Sequence, residues 1–153
     1  VVAAVNGMAA GGGFSLVCMS DMAIAARSAK FNFAYTRSGL TPDGGSTYFL
    51  PRLVGPQKAF DIMATNPTLS AVEAEALGIV ARVVEDDSFD QEVEALVATL
   101  VALPSESLPR LKGLLKQSLT ASLEQQFESE AQSISEIAAT PATLAGFEKF
   151  LAR

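Results

Sequence analysis

The chain has 153 residues, nearly half of them hydrophobic, with a formal net charge of −6, one cysteine and no histidine. That is room for a real core but not for two independent domains, and a charge spread without long acidic runs argues against nucleic acid or an anionic membrane surface as main partner. A lone cysteine excludes a disulfide framework, and the lack of imidazole excludes, within these residues, zinc sites of Cys/His type and any step that needs a histidine.

Val1-Val2-Ala3-Ala4-Val5 is short and β-branched and stops at Asn6-Gly7, so it predicts a buried, parallel-type strand running into a turn. The run has neither the charged n-region nor the cleavage pattern of a signal peptide, and it is expected to be a strand entered midway in a larger protein. Three glycines, Gly11 to Gly13, follow, and Phe14 to Met19 then suits a short buried helix starting near Gly11. Cys18 falls in its apolar run, where a buried, inert thiol and a reducing, cytoplasmic compartment are expected. Asn6-Gly7 and Ser20-Asp21 keep every apolar run below the roughly 18 residues of a membrane span.

Met22 to Ala26 and Lys30 to Phe33 read as strands around an Arg27-Ser28 turn, and Pro42-Asp43-Gly44-Gly45 is a strong turn signal. From Ser46 the pattern is helical, with Pro51 and Gly55-Pro56 as punctuation and a helix over 57–64. Ser70 to Glu73 is a capping-box sequence opening a helix that should end by Gly78, and Ile79 to Val84 should be one more strand.

Ser88 with Gln91 predicts a second capping box, for a helix bearing Phe89, Val93, Leu96, Val97, Leu100 and Val101 on one face. Pro104 and Pro109 separate it from Leu111, Leu114, Leu115 and Leu119. Ser122 with Gln125 caps a third amphipathic stretch carrying Leu123, Phe127, Ala131, Ile134 and Ala138. Thr140-Pro141 opens the last helix, with Leu144, Phe147, Phe150 and Leu151 apolar. These stripes are expected to serve core or subunit packing.

Two places carry chemistry. The segment Gly7 to Gly13 has no bulky side chain, and a helix starting there offers unpaired N–H groups and the positive end of its dipole, so it suits an oxyanion or phosphate or, equally, a tight packing turn. It is neither a Walker A loop nor G-x-G-x-x-G, and G-x-S-x-G is absent around Ser15. Asp43 fits two roles that exclude each other. One is a helix N-cap, kept ionised by its hydrogen bonds; the other is a carboxylate made basic by apolar neighbours such as Phe33, Leu40, Tyr48 and Phe49. Tyr35 is either a half-buried tyrosine or a hydrogen-bond donor into a pocket.

The order and spacing of Ala4-Val5-Asn6-Gly7-Met8-Ala9-Ala10-Gly11-Gly12-Gly13, Ser20 to Ala25, Gly39-Leu40-Thr41-Pro42-Asp43-Gly44-Gly45-Ser46-Thr47, Leu50 to Gly55 and Ala74 to Val80 resemble the crotonase, or enoyl-CoA hydratase/isomerase, superfamily. The likeness is dense up to Val84 and thinner beyond, and in motif it is nearest to phenylacetate-pathway-type isomerases. It implies an α/β fold, a partial crotonase/ClpP-like ββα superhelix with a helical C-terminal region. Residues 1–84 would be the C-terminal part of the ββα core and 85–153 a helical, trimerisation-type region.

The resemblance also implies a site for an acyl-CoA thioester, with coenzyme A entering as part of the substrate and no separate cofactor or metal. The Gly12 N–H would be one of two donors to the thioester oxygen, with Ala10 and Gly11 lining the substrate. The second donor would lie upstream of Val1, and since losing such a donor costs about 2.7–4 kcal/mol, the 153 residues alone are expected to be poor catalysts. Hydratases of the family use two glutamates, and their positions carry Ser15 and Tyr35, which can line the substrate but cannot act as carboxylates. Isomerases of the family have an aspartate at the position of Asp43, so acid/base catalysis by Asp43 is expected. A non-catalytic acyl-CoA-binding domain, or a hydrolase or dehalogenase, are the alternatives. Phe150 and Arg153 would touch coenzyme A, and a homo-oligomer, trimer or hexamer, is implied.

Overall fold

A computed structural model describes residues 1–152, the Lys149 side chain apart. In chain order come β1 (Val2–Val5), β2 (Met8–Ala10), α1 (Gly12–Met19), β3 (Met22–Ala26), β4 (Lys30–Asn32) and a 3₁₀ turn at Thr36–Ser38. Then follow α2 (Ser46–Val54), α3 (Pro56–Thr65), β5 (Thr68–Ser70), α4 (Ala71–Ala76), β6 (Arg82–Val84), α5 (Phe89–Val101), α6 (Ser107–Ser118), α7 (Leu123–Ala138) and α8 (Pro141–Leu151). The chain divides into two compact units, Val1–Val97 and Ala98 onward. No helix among the described residues is long and apolar enough to cross a membrane.

The first unit holds two small sheets. In one, β1, β3 and β6 lie side by side and all parallel, Val2 opposite Met22 and Ile24 opposite Arg82. In the other, β4 pairs in parallel with β2 and antiparallel with β5. The Asn6-Gly7 break lets one run of chain feed both sheets, and the Gly7 carbonyl accepts the Lys30 N–H at 3.1 Å. An aromatic cluster fills the core: Phe14, Phe31 and Phe33 are fully buried, with Phe14 meeting the other two edge-on at 6.3 and 6.1 Å. Each such ring contributes about 1.5–3 kcal/mol by burial.

Several boundaries differ from expectation. The strand predicted over Ile79 to Val84 is confined to Arg82–Val84, because the N–H groups of Ile79 and Val80 bond the Ala74 carbonyl and finish the helix instead. Pro51 does not end α2 but lies inside it, although it lacks the N–H that would bond the Thr47 carbonyl. Ser88 does not form a capping box: Asp86–Ser88 is a 3₁₀ turn running straight into α5, and the Ser88 hydroxyl donates to the Glu85 carbonyl at 3.2 Å. β2 and β5, three residues each, went unpredicted.

The second unit is helical. Pro109 does not separate helices but sits in the first turn of α6, where an N–H would have no helical acceptor. Ser122 and Gln125 form the expected reciprocal capping box on α7, and Thr140 caps α8 through the Thr143 N–H. Polar bonds link α6 to α7, Gln117 Nε2 to Ser129 Oγ at 2.6 Å and Gln126 Nε2 to the Leu114 carbonyl at 3.2 Å. The apolar stripes remain uncovered within the chain: Leu115, Phe127 and Ile134 are each 60–64% exposed.

Candidate active site

The site is built around the first turn of α1. Gly11, its N-cap, adopts φ 52 and ψ −118, a conformation that essentially only glycine tolerates. No side chain caps this end and no acidic residue lies in the first turn, so nothing within the helix itself offsets the positive end of its dipole. The Gly11 N–H is used, bonding the Asn32 carbonyl at 3.0 Å, whereas the Gly12 N–H takes no acceptor among the described residues. Ala10 ends β2 opposite Asn32, with its side chain exposed.

Ser15, one turn further on, is 1% exposed. Its Oγ lies 3.3 Å from each of three acceptors: the Gly11 carbonyl, the Asp43 carbonyl and the Tyr35 hydroxyl. Tyr35 reaches this point from a strained turn, in which its N–H bonds the Phe33 carbonyl at 2.9 Å around Ala34 at φ 65. An i to i+2 bond with positive φ marks the rarer hand of γ-turn. The Tyr35 ring is buried, edge-on to Phe33 at 5.0 Å, rather than half-buried. Its hydroxyl lies 3.9 Å from where a Cβ on Gly12 would stand, and it donates to Asp43 Oδ1 at 2.5 Å. That bond to the carboxylate, more than burial and the negative charge nearby, pushes the phenol's pKa above its ordinary value, while the Ser15 hydroxyl works in the other direction.

Asp43 is not a helix cap. The N-cap of α2 is Gly45, without a side-chain bond, and what Asp43 gives the helix start is its backbone carbonyl, which accepts the Ser46 N–H at 3.2 Å and the Ser46 hydroxyl at 2.9 Å. The carboxylate is left for Tyr35. Nor is it enclosed by apolar neighbours: Asp43 is exposed, Phe33 is turned into the core, and Leu40 and Tyr48 are themselves exposed.

Gly44 closes the arrangement, a residue that sequence reasoning left as an ordinary turn glycine. It has φ 58, and a Cβ on it would stand 3.0 Å from the Ser15 Cβ. The left-handed glycines thus let the Asp43 turn lie directly on α1, bringing Gly12, Ser15, Tyr35 and Asp43 together. Phe150 lies on α8 in the other unit, 73% exposed, and Arg153 lies outside the described residues. A cavity of about 370 Å³ opens at the other end of α1, lined by Val17, Cys18, Met22, Leu53 and Glu75 among others, and includes none of these four residues. Among the described residues there is no cluster of metal-ligating side chains.

The glycine turn opens α1, which in chain order joins β2 of one sheet to β3 of the other, and solved enoyl-CoA hydratase/isomerase proteins share this crotonase-type α/β fold over 99% of the chain. The enoyl-CoA hydratase/isomerase family model matches residues 1–153, and the chain belongs to that family. It is 37% identical over 130 residues to a 1,2-epoxyphenylacetyl-CoA isomerase of Escherichia coli (strain K12), covering 85% of this chain and 50% of the relative. The crystal structure of an enoyl-CoA hydratase/isomerase from Cupriavidus metallidurans CH34 superposes with a TM-score of 0.94 at 37% identity, over 99% of this chain and 57% of the other. A Thermobifida fusca YX protein solved in complex with acetoacetyl-CoA is similar at a TM-score of 0.86 and 35% identity, over 91% of this chain and 55% of that one. The chain thus spans about half the length of the proteins it matches.

Proposed function

We propose that the full-length protein is an enoyl-CoA double-bond isomerase, in which Asp43 is the acid/base and the Gly12 N–H one donor to the thioester oxygen. Asp43 removes a proton α to the thioester, negative charge moves to the carbonyl oxygen, and the proton returns at the γ carbon. The observation that carries this reading is the exposed Asp43 carboxylate, tied by a Tyr35 hydroxyl that lies 3.9 Å from where a Cβ on Gly12 would stand, with only the hydroxyls of Ser15 and Tyr35 at the positions where hydratases of the family carry their two glutamates. The relative solved with acetoacetyl-CoA supports a coenzyme A thioester as substrate, and the proposed proton transfer uses no separate cofactor. The uncovered stripes of α6, α7 and α8 support a homo-oligomer, trimer or hexamer, and the buried Cys18 suits a reducing, cytoplasmic setting.

Asp43→Asn keeps the size of the side chain and removes the base. It is expected to lower the shift of a β,γ double bond to the α,β position at least about 100-fold, the scale of general-base catalysis. Unchanged turnover would remove Asp43 from the chemistry. A wild-type protein that binds acyl-CoA without turning it over would instead favour a non-catalytic binding domain. A substrate-derived mass trapped on Asp43 would mark the nucleophile of a hydrolase or dehalogenase.

A further inference from the structure

We propose that Tyr35 is the positioning residue for Asp43, anchoring one carboxylate oxygen so that the other, Oδ2, receives the substrate proton. The inference rests on the reading of Asp43 as acid/base and assigns what that reading leaves open, how an exposed carboxylate on a turn is aimed. An ionised carboxylate only accepts, so the 2.5 Å contact has Tyr35 as donor and Oδ1 as acceptor. Among the described residues no hydrogen bond is made to Oδ2.

Asp43 has little else to hold its side chain, since it is exposed and is followed by two glycines at φ 58 and 72. Tyr35 is the opposite. Its ring is buried against Phe33, its oxygen is met by the buried Ser15 hydroxyl, and the turn at Ala34 fixes where it emerges. In an extended strand residues 33 and 35 would stand about 6.6–6.8 Å apart, and the γ-turn draws them closer, so the rings meet at 5.0 Å. Backbone strain at a non-glycine residue persists where the surroundings over-determine it, and here it is spent immediately before the phenol that holds the carboxylate. With Tyr35 donating to Asp43, its oxygen is left to accept from the Ser15 hydroxyl, which is shared with the Gly11 and Asp43 carbonyls at the same 3.3 Å. A phenylalanine would fill the ring site equally well; only the hydroxyl serves Asp43.

The test compares wild type, Tyr35→Phe, Asp43→Asn and the double variant in the full-length protein, with an enoyl-CoA as substrate. Tyr35→Phe keeps the ring and its packing, so a merely structural role predicts wild-type kinetics. Positioning predicts a kcat about 10- to 100-fold lower with KM within about twofold, the size of a hydrogen bond to a charged group. It also predicts no further loss when Tyr35→Phe is added to Asp43→Asn. A Tyr35→Phe protein with unchanged kcat, or one whose loss is all in KM, overturns the role of Tyr35 while leaving Asp43 as base if Asp43→Asn is inactive. Full activity in Asp43→Asn overturns both.

Discussion

The two units of the chain are built on different terms. Residues 1–97 enclose an aromatic cluster, with Phe14, Phe31 and Phe33 fully buried, and the strands and α1 are arranged around it. The unit from Ala98 onward has caps, interhelical polar bonds and amphipathic helices, yet its large apolar side chains stay exposed within the chain. In the first unit part of the hydrophobic pattern is satisfied by this core, although Met8, Leu16 and Phe60 stay 62–75% exposed. In the second, the same strength of pattern produces helices without producing a core, so amphipathicity reports that a face is to be covered and not by what.

The sharpest way to break that comparison is to remove one phenylalanine from each unit. In the isolated 153-residue chain, Phe14→Ala is expected to cost about 3–5 kcal/mol in urea unfolding, by lost burial and the cavity left behind. Phe127→Ala, at a side chain 60% exposed, is expected to change stability by less than about 0.5 kcal/mol. Equal losses would mean that the second unit also has a core.

A pH series sharpens the contrast through Cys18, whose pKa burial pushes up from 9.0 to about 12. The folded state holds this proton more tightly than the unfolded one, so the thiol's contribution is intact below about pH 9 and is lost as pH rises towards 12. Stability in urea should therefore fall across that window, and Cys18→Ala should flatten part of the fall. At neutral pH the thiol should react with a disulfide reagent only as fast as the first unit opens. A modest effect is expected at a cap in the second unit. Ser122→Ala removes the cap bond to the Gln125 N–H and should cost about 1 kcal/mol, seen as lost helicity in circular dichroism with the first unit's unfolding unchanged.

Much of the architecture was legible because it was written in local chemistry. β1, α1, β3 and the capped helices α4 and α7 are each announced by a β-branched or apolar run, a glycine turn or a capping box. β2 and β5 were not, since three residues are too few for alternation to show and Thr68–Ser70 pairs only because β4 is beside it. Ser88 misled for a related reason: its spacing to Gln91 is that of a capping box, but the preceding 3₁₀ turn already supplied the helix start.

At the site, Gly12, Ser15, Tyr35 and Asp43 were all singled out from the sequence, and their meeting was not. The bond from Tyr35 to Asp43 depends on the turn at Ala34, and alanine carries no signal for positive φ. Whether Asp43 caps α2 turned on where the helix begins. Two glycines that shift its N-cap to Gly45 release the carboxylate.

The seat of Ser15 also limits how this site could be rebuilt. Ser15 is 1% exposed, and a Cβ on Gly44 would already crowd its Cβ at 3.0 Å. A glutamate introduced at position 15 would bring an unpaired charge into that closed space and push the Asp43 turn away from α1. A carboxylate at position 15 and the present seat of the Asp43 turn therefore exclude each other, and exchanging one for the other has to involve the loop at Gly44 as well as residue 15.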